Sequence, residues 1–251
     1  MNRVFVLGTE IDRISLSGAI ELALDCMNSR CAAYVVTPNT EMILAARRDP
    51  ALHSAMRGAV LALPDSVGVQ LAGCILGAPI TERIPGIDFA AALMSRMAAE
   101  GKNVFLFGAR EGVAARAAEA LRAAYPGLVI AGAENGYVDG VDEPALVEKI
   151  SAASPDLLLV CLGTPKQELW MYRNAARLRV GLMIGLGGSL DVFSGDVHRA
   201  PIRWRRAGLE WLYRLLRQPK RIKRAVRLPL IVFAAAICRI KGEKESWQKE
   251  N

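Results

Sequence analysis

Seven short aliphatic runs punctuate this chain, and helix-patterned stretches fill the gaps between them. The runs lie at 4–7, 33–37, 59–63, 104–107, 129–131, 157–162 and 182–186. They are nearly continuous in Val, Ile, Leu, Ala and Phe, so a strand built from one of them must be covered on both faces. The stretches between, roughly 15–28, 41–57, 66–76, 87–100, 111–125, 144–153 and 166–178, supply that cover. The clearest, EGVAARAAEALRAAY at 111–125, is closed by Pro126-Gly127, a helix stop. Strands alternating with helices imply an α/β protein: a Rossmann-like, mainly parallel sheet with helices on both faces. No internal repeat or low-complexity linker interrupts the pattern.

One break in composition falls near residue 199. Residues 1–198 carry 17 basic and 21 acidic side chains, whereas residues 199–251 carry 15 basic and 4 acidic ones. The net charge of +7 therefore belongs to the C-terminal segment. This predicts two parts, an α/β body over 1–198 and an appendage over 199–251. A concentrated positive charge points to an anionic partner, either a nucleic acid or a membrane surface. Arg214, Arg217, Arg221 and Arg224 share one face if a helix continues past Pro219, with Leu209, Leu212 and Leu216 on a neighbouring stripe and Trp204, Trp211 and Tyr213 close by. Aromatic and leucine side chains beside arginine suit the headgroup boundary of a bilayer. The uncharged run LPLIVFAAAIC at 228–238 is shorter than the ~20 residues that a spanning helix needs. It can lie in the interface, or pack on the body as an ordinary amphipathic helix. The apolar run argues against nucleic acid.

The opening MNRVFVLGTEIDR has too short an apolar run for a signal peptide and reads as a strand. Five irregularly spaced cysteines suggest reduced thiols in a cytoplasmic protein. No Cys/His cluster has metal-ligand spacing. Two histidines, His53 and His198, offer little material for a serine-type triad.

In an open α/β sheet, ligands bind beyond the C-terminal ends of the strands. Five strand ends here carry small or polar residues: Thr37-Pro38-Asn39, Pro64-Asp65-Ser66, Gly108-Ala109-Arg110, Gly163-Thr164-Pro165-Lys166-Gln167 and Gly187-Gly188-Ser189-Leu190-Asp191. Gly108, Gly163, Gly187 and Gly188 allow backbone N–H groups to approach a ligand, and a helix N-terminus beyond them favours an anion such as a diphosphate. Any βα turn also tolerates glycine. There is neither a full GxGxxG nor a GxxxxGK[ST]. Asp65 follows a buried strand and opens a helix, which suits either an N-cap or a general base. Asp88 and Asp191 are rivals by the same logic. Thr37, Asn39, Arg83 and Gln167 offer groups that hold sugar hydroxyls or phosphate.

At these residues the chain resembles a known family. TPNxE (37–41), PDxxG (64–68), ERxxGxD (82–88), GTPKQE (163–168), GGSxD (187–191), RAP (199–201) and GLEWLYRLLRQP (208–219) are together similar to the WecG/TagA/CpsF glycosyltransferases. The resemblance runs in order from about residue 3 to residue 230. It implies a bacterial enzyme bound peripherally to the inner face of the cell membrane. The enzyme would transfer an N-acetylmannosamine-type sugar from a UDP donor to GlcNAc-diphospho-undecaprenol, with inversion and without a metal or other cofactor. It implies Asp65 as the base, with Thr37, Asn39, Arg83 and Gln167 in the pocket. Tyr137, Gly187 and Asp191 fall on the nucleotide side. Arg214, Arg221 and Arg224 match appendage arginines that would hold the lipid diphosphate. Thr40 stands where Ala is common, and Ser66 where Gly is common.

The chemistry fits these residue types. An inverting transfer needs one base, unlike the pair of carboxylates in a retaining hydrolase. The absence of a DxD-type pair near a strand end is in keeping with metal independence. The expected partners are the UDP-sugar, the polyprenyl-diphosphate-linked GlcNAc acceptor and an anionic membrane surface. No nucleic acid is expected, and a homo-oligomer is left open. The rival reading is a non-catalytic nucleotide-binding module tethered to a membrane.

Overall fold

A computed structural model describes residues 2–30, 32–137, 142–217 and 226–242, apart from the side chain of Arg214. Six strands form one parallel sheet: β3 (Ala33–Val36), β4 (Leu61–Ala62), β5 (Asn103–Gly108), β6 (Val129–Glu134), β7 (Leu157–Cys161) and β8 (Leu182–Gly185), in the order β4-β3-β8-β7-β5-β6. Every pairing between them is parallel.

The strands are continuous apolar runs because both faces are covered. Along β7, Leu157, Leu159 and Cys161 point to one side, where they join Met27 of α1 (Leu16–Ser29), Phe89 and Leu93 of α5 (Gly86–Ala99) and Ala117 and Leu121 of α6 (Val113–Ala124). Leu158 and Val160 point to the other side. There they meet Leu146 and Ile150 of α7 (Glu143–Ala153) and Trp170 and Met171 of α8 (Lys166–Asn174). This period of two, read against two helical layers, is the physical content of the alternating pattern.

Two local features differ from the expectation. The first run is half of an antiparallel hairpin, β1 (Asn2–Val6) with β2 (Thr9–Arg13), separate from the main sheet. The expected helix over 41–57 is two helices, α2 (Thr40–Ala46) and α3 (Pro50–Arg57). Asp49 caps the second through Ala51 and Leu52 N–H, and Pro50 occupies its first turn, where its missing N–H costs nothing.

Two short helices, α9 (Ser189–Phe193) and α10 (Ile202–Arg206), lead to α11 (Glu210–Arg217). The chain then reaches α12 (Arg227–Ile240), which contains the 228–238 run. Ile231, Ala235 and Cys238 of α12 are buried with Val4, Val6 and Ile11 of the hairpin and with Val69 and Ala72 of α4 (Val67–Ile75). Leu230, Phe233, Ile237 and Ile240 on the opposite side are 50%, 66%, 53% and 85% exposed. The helix is therefore apolar on both flanks, and only one of them is covered. Among the described residues, no helix is long and apolar enough to cross a membrane.

Candidate active site

A crevice of about 430 Å³ opens over the sheet, within the range of small-molecule sites. Four neighbouring strands, β4, β3, β8 and β7, each send the loop at their C-terminal end into it: Asp65 and Ser66 after β4, Thr37 and Asn39 after β3, Gly187 to Asp191 after β8, and Gly163 to Gln167 after β7. Arg83 and Gly86 line it from the segment that enters α5.

Asp65 does not cap α4, whose N-cap is Ser66 without a side-chain bond. Its Oδ1 instead accepts from the N–H of Gly86, at 2.9 Å. Gly86 opens α5, and the residue at that helix's cap position is Pro85, which has no side-chain acceptor to offer. The Asp65 backbone is fixed too: its N–H donates to Pro38 O at 3.1 Å, tying the β4 loop to the β3 loop. A carboxylate capping a helix lies next to the positive end of that helix.

The other expected residues divide by what holds them. Thr37 is buried and donates to Gly185 O at 3.0 Å. Asn39 Oδ1 caps α2 by accepting from Met42 N–H at 3.1 Å, so its amide NH2 is the end the crevice can use. Arg83 donates to two backbone carbonyls, Asp65 O at 3.4 Å and Arg205 O at 3.1 Å. It thereby joins the β4 loop to the C-terminal segment. Asp191, at the crevice wall, has Arg110 Nη2 at 3.8 Å. Gln167 is 2% exposed and accepts from the N–H groups of Gly163 and Gly187, at 3.2 and 2.8 Å. Two of the glycine donors expected to face a ligand therefore face the protein's own amide. Tyr137 lies in the loop after β6, 73% exposed, and does not line the crevice. Arg221 and Arg224 fall outside the described residues, as does the side chain of Arg214 on α11.

The C-terminal segment supplies part of the crevice wall. Glu210, Trp211, Tyr213 and Arg217 of α11 and Leu228 of α12 line it with Asp65. Arg217 stands over the Tyr213 ring, 5.6 Å from its centre, in cation–π range. Sequence spacing places Arg217 on the arginine face but gives no hint that this face meets the strand ends. Arg199 anchors the segment: its guanidinium reaches Asp88 at 2.5 Å and Glu210 at 3.3 Å. Burial opposes its charge, but the two carboxylates outweigh burial and raise its pKa. Arg205 adds a longer contact to Asp88 at 3.7 Å. Arg227, at the start of α12, pairs with Glu41 of α2.

Among the described residues, no cysteine lines the crevice. Burial pushes Cys161, at the end of β7, up to about 12, so it stays protonated at neutral pH. Among the described residues no group of three or more His, Cys, Asp or Glu side chains could hold a metal ion.

The glycosyl transferase WecG/TagA/CpsF family pattern matches residues 4–245. The chain belongs to this family. A Bacillus spizizenii relative named N-acetylglucosaminyldiphosphoundecaprenol N-acetyl-beta-D-mannosaminyltransferase is 38% identical over 80% of this chain and 78% of its own length. A Bacillus subtilis protein of the same name is 34% identical over 81% and 78%. A Staphylococcus aureus protein, also of that name, is 32% identical over 96% of this chain and 95% of its own. Within this WecG/TagA/CpsF member, the matched span takes in both the sheet and the segment that closes the crevice.

Proposed function

We propose that this chain is an inverting glycosyltransferase that moves N-acetylmannosamine, or a related sugar, from a UDP donor to GlcNAc-diphospho-undecaprenol, in teichoic acid or related surface-polymer synthesis. The observation that carries the reading is the single crevice shared by Asp65 and by the cationic C-terminal segment, in a chain similar to enzymes named for that acceptor.

Asp65 takes the proton of the acceptor hydroxyl as its oxygen bonds to the anomeric carbon. The bond from that carbon to the diphosphate breaks on the opposite face, and UDP leaves with the electron pair. The relatives' name specifies a β-linked mannosaminyl product. UDP-activated hexosamines carry the sugar in the α configuration, so a β product requires inversion. Arg217 at the crevice wall, with Arg214, Arg221 and Arg224 on the same segment, supplies positive charge for the diphosphates without calling on a metal. Thr37, Asn39 and Asp191 hold the donor, while Tyr137 is assigned to its nucleotide end by the family resemblance alone.

The acceptor is anchored in lipid, so the enzyme works at the inner membrane face. Residues 1–198 then serve as the catalytic body and 199–251 as the membrane appendage. The uncovered α12 stripe Leu230, Phe233, Ile237 and Ile240 enters the headgroup boundary. The basic residues around it add about 1 kcal/mol each near an anionic leaflet.

The test is a panel of UDP-sugars offered with a short-chain GlcNAc-diphospho-lipid, read by product mass. A mass gain of one N-acetylhexosamine, with UDP released, is the expected result. No product with any UDP-sugar, despite nucleotide binding, would leave only the non-catalytic module.

A further inference from the structure

Behind the crevice, two side chains on the first turn of α8 form a buried chain of hydrogen bonds. Gln167 and Glu168 are 2% and 0% exposed. Gln167 Oε1 accepts from Gly163 N–H on the β7 loop and Gly187 N–H on the β8 loop. Its Nε2 donates to Glu168 Oε1 at 2.7 Å, and Thr164 Oγ1 donates to the same oxygen at 3.4 Å. Glu168 Oε2 has no hydrogen-bond partner. Glu168 does not line the crevice, whereas Gln167, Gly163 and Gly187 do.

An amide has one accepting end and one donating end. Two backbone donors converge on the accepting end of Gln167, so a flipped amide would set NH2 against both. What fixes the choice at the other end is an acceptor, and Glu168 Oε1 is that acceptor. The site is built around this amide: a Cβ on Gly185 would stand 2.9 Å from Gln167 Nε2. Gly163 and Gly187 have φ of +76° and +53°, in the left-handed region that aims their N–H groups inward.

We propose that Glu168 is a positioning residue for transfer: by accepting from Gln167 it locks the amide that holds the β7 and β8 loops at the separation the substrate needs. The inference rests on the crevice being the transfer site. Both ends of the buried Gln167 amide are engaged in this link, and a loop displacement near 1 Å can cost about a hundredfold in rate.

The experiment compares full-length Glu168→Gln, Glu168→Met and Glu168→Leu with the parent. It reads donor KM and kcat together with hydrogen exchange of the Gly163 and Gly187 amides. Glu168→Gln keeps an acceptor and is expected to stay within about threefold of the parent. Glu168→Met and Glu168→Leu are expected to lose about tenfold or more in kcat/KM, and to exchange both glycine amides faster, without a fall in melting temperature. Unchanged amide protection in the apolar variants would overturn the inference. So would equal losses in the Gln and apolar variants, since the charge rather than the acceptor would then matter. Failure of both apolar variants to fold would assign Glu168 to stability and overturn it as well. Faster exchange with unaltered turnover would break the link to catalysis. A parent protein that turns over no donor, yet shows the exchange pattern, would instead locate the failure in the transferase reading.

Discussion

The Asp65 carboxylate accepts the N–H of Gly86 at 2.9 Å, twenty-one residues away, and so caps a second helix that lines the same crevice. The group is fixed in place before any substrate arrives.

Replacing it separates chemistry from structure. Asp65→Asn keeps an oxygen for Gly86 and should melt within a few degrees of the parent. Turnover should fall by about 10²–10⁴, the usual contribution of a general base. Asp65→Ala should lose both. Product formation measured beside a melting curve checks this, and near-normal turnover in Asp65→Asn would remove Asp65 as the base.

Gly68, in the first turn of α4, leaves no room for a methyl. A Cβ there would lie 2.3 Å from Thr40 Oγ1 and 2.8 Å from Leu228 Cδ1. Gly68→Ala should cost about 1–3 kcal/mol by overpacking, and adding Thr40→Ala should recover part of it. A double-mutant cycle by chemical denaturation measures the coupling. Additive losses would mean that Thr40 moves aside freely. The Thr40 hydroxyl also lies 3.3 Å from that of Ser66.

Arg199 holds two carboxylates together, and its side chain is only 15% exposed. Arg199→Met should cost about 2 kcal/mol, between the values for surface and buried pairs. Limited proteolysis should cut the segment that follows sooner than in the parent. Equal cleavage rates would show that the other contacts of α11 suffice.

The uncovered side of α12 should bind lipid. Phe233→Ser with Ile237→Ser is expected to weaken sedimentation with anionic liposomes about tenfold or more. The melting temperature should hold, because both side chains are more than half exposed. Retained liposome binding would move the membrane contact elsewhere.

Burial raises the Glu168 pKa above its ordinary value. For a carboxyl raised in the folded state, the native protein holds its proton longer than the unfolded chain, so stability falls as pH rises. The loss begins near the unfolded value of about 4.3 and is complete above the folded one. Glu168→Gln lacks this term, so its melting temperature relative to the parent should climb over that window and then level off. A flat difference from pH 4 to 8 would contradict the shift.

The strands of the main sheet are legible because both faces are buried, which writes itself as unbroken aliphatic runs such as Leu157–Cys161. The hairpin partner Thr9–Arg13 is not, because its polar residues are satisfied at long range. Asp12 is 1% exposed, pairing with Arg3 and accepting from Ala62 N–H at 2.7 Å. The break between α2 and α3 was open to sequence reasoning through Asp49-Pro50. Thr37, Asn39, Asp65, Gln167, Gly187 and Asp191 are legible as crevice residues because they follow strands that lie side by side. Tyr137 follows the edge strand β6, four positions from β3 in the sheet order, so the same rule places it too far out. Trp211, Arg217 and Leu228 reach the crevice only through long-range docking, which no local pattern encodes.

The first and last described elements share one apolar cluster: Val4, Val6 and Ile11 with Ile231, Ala235 and Cys238. During synthesis the hairpin leaves the ribosome long before the helix that covers it, which lies more than two hundred residues further along the chain. Until that helix emerges, the newborn chain carries an open greasy seam. The helix that finally closes the seam still shows its other flank to the surroundings, and if that flank finds lipid, completion of the fold and arrival at the membrane become one event.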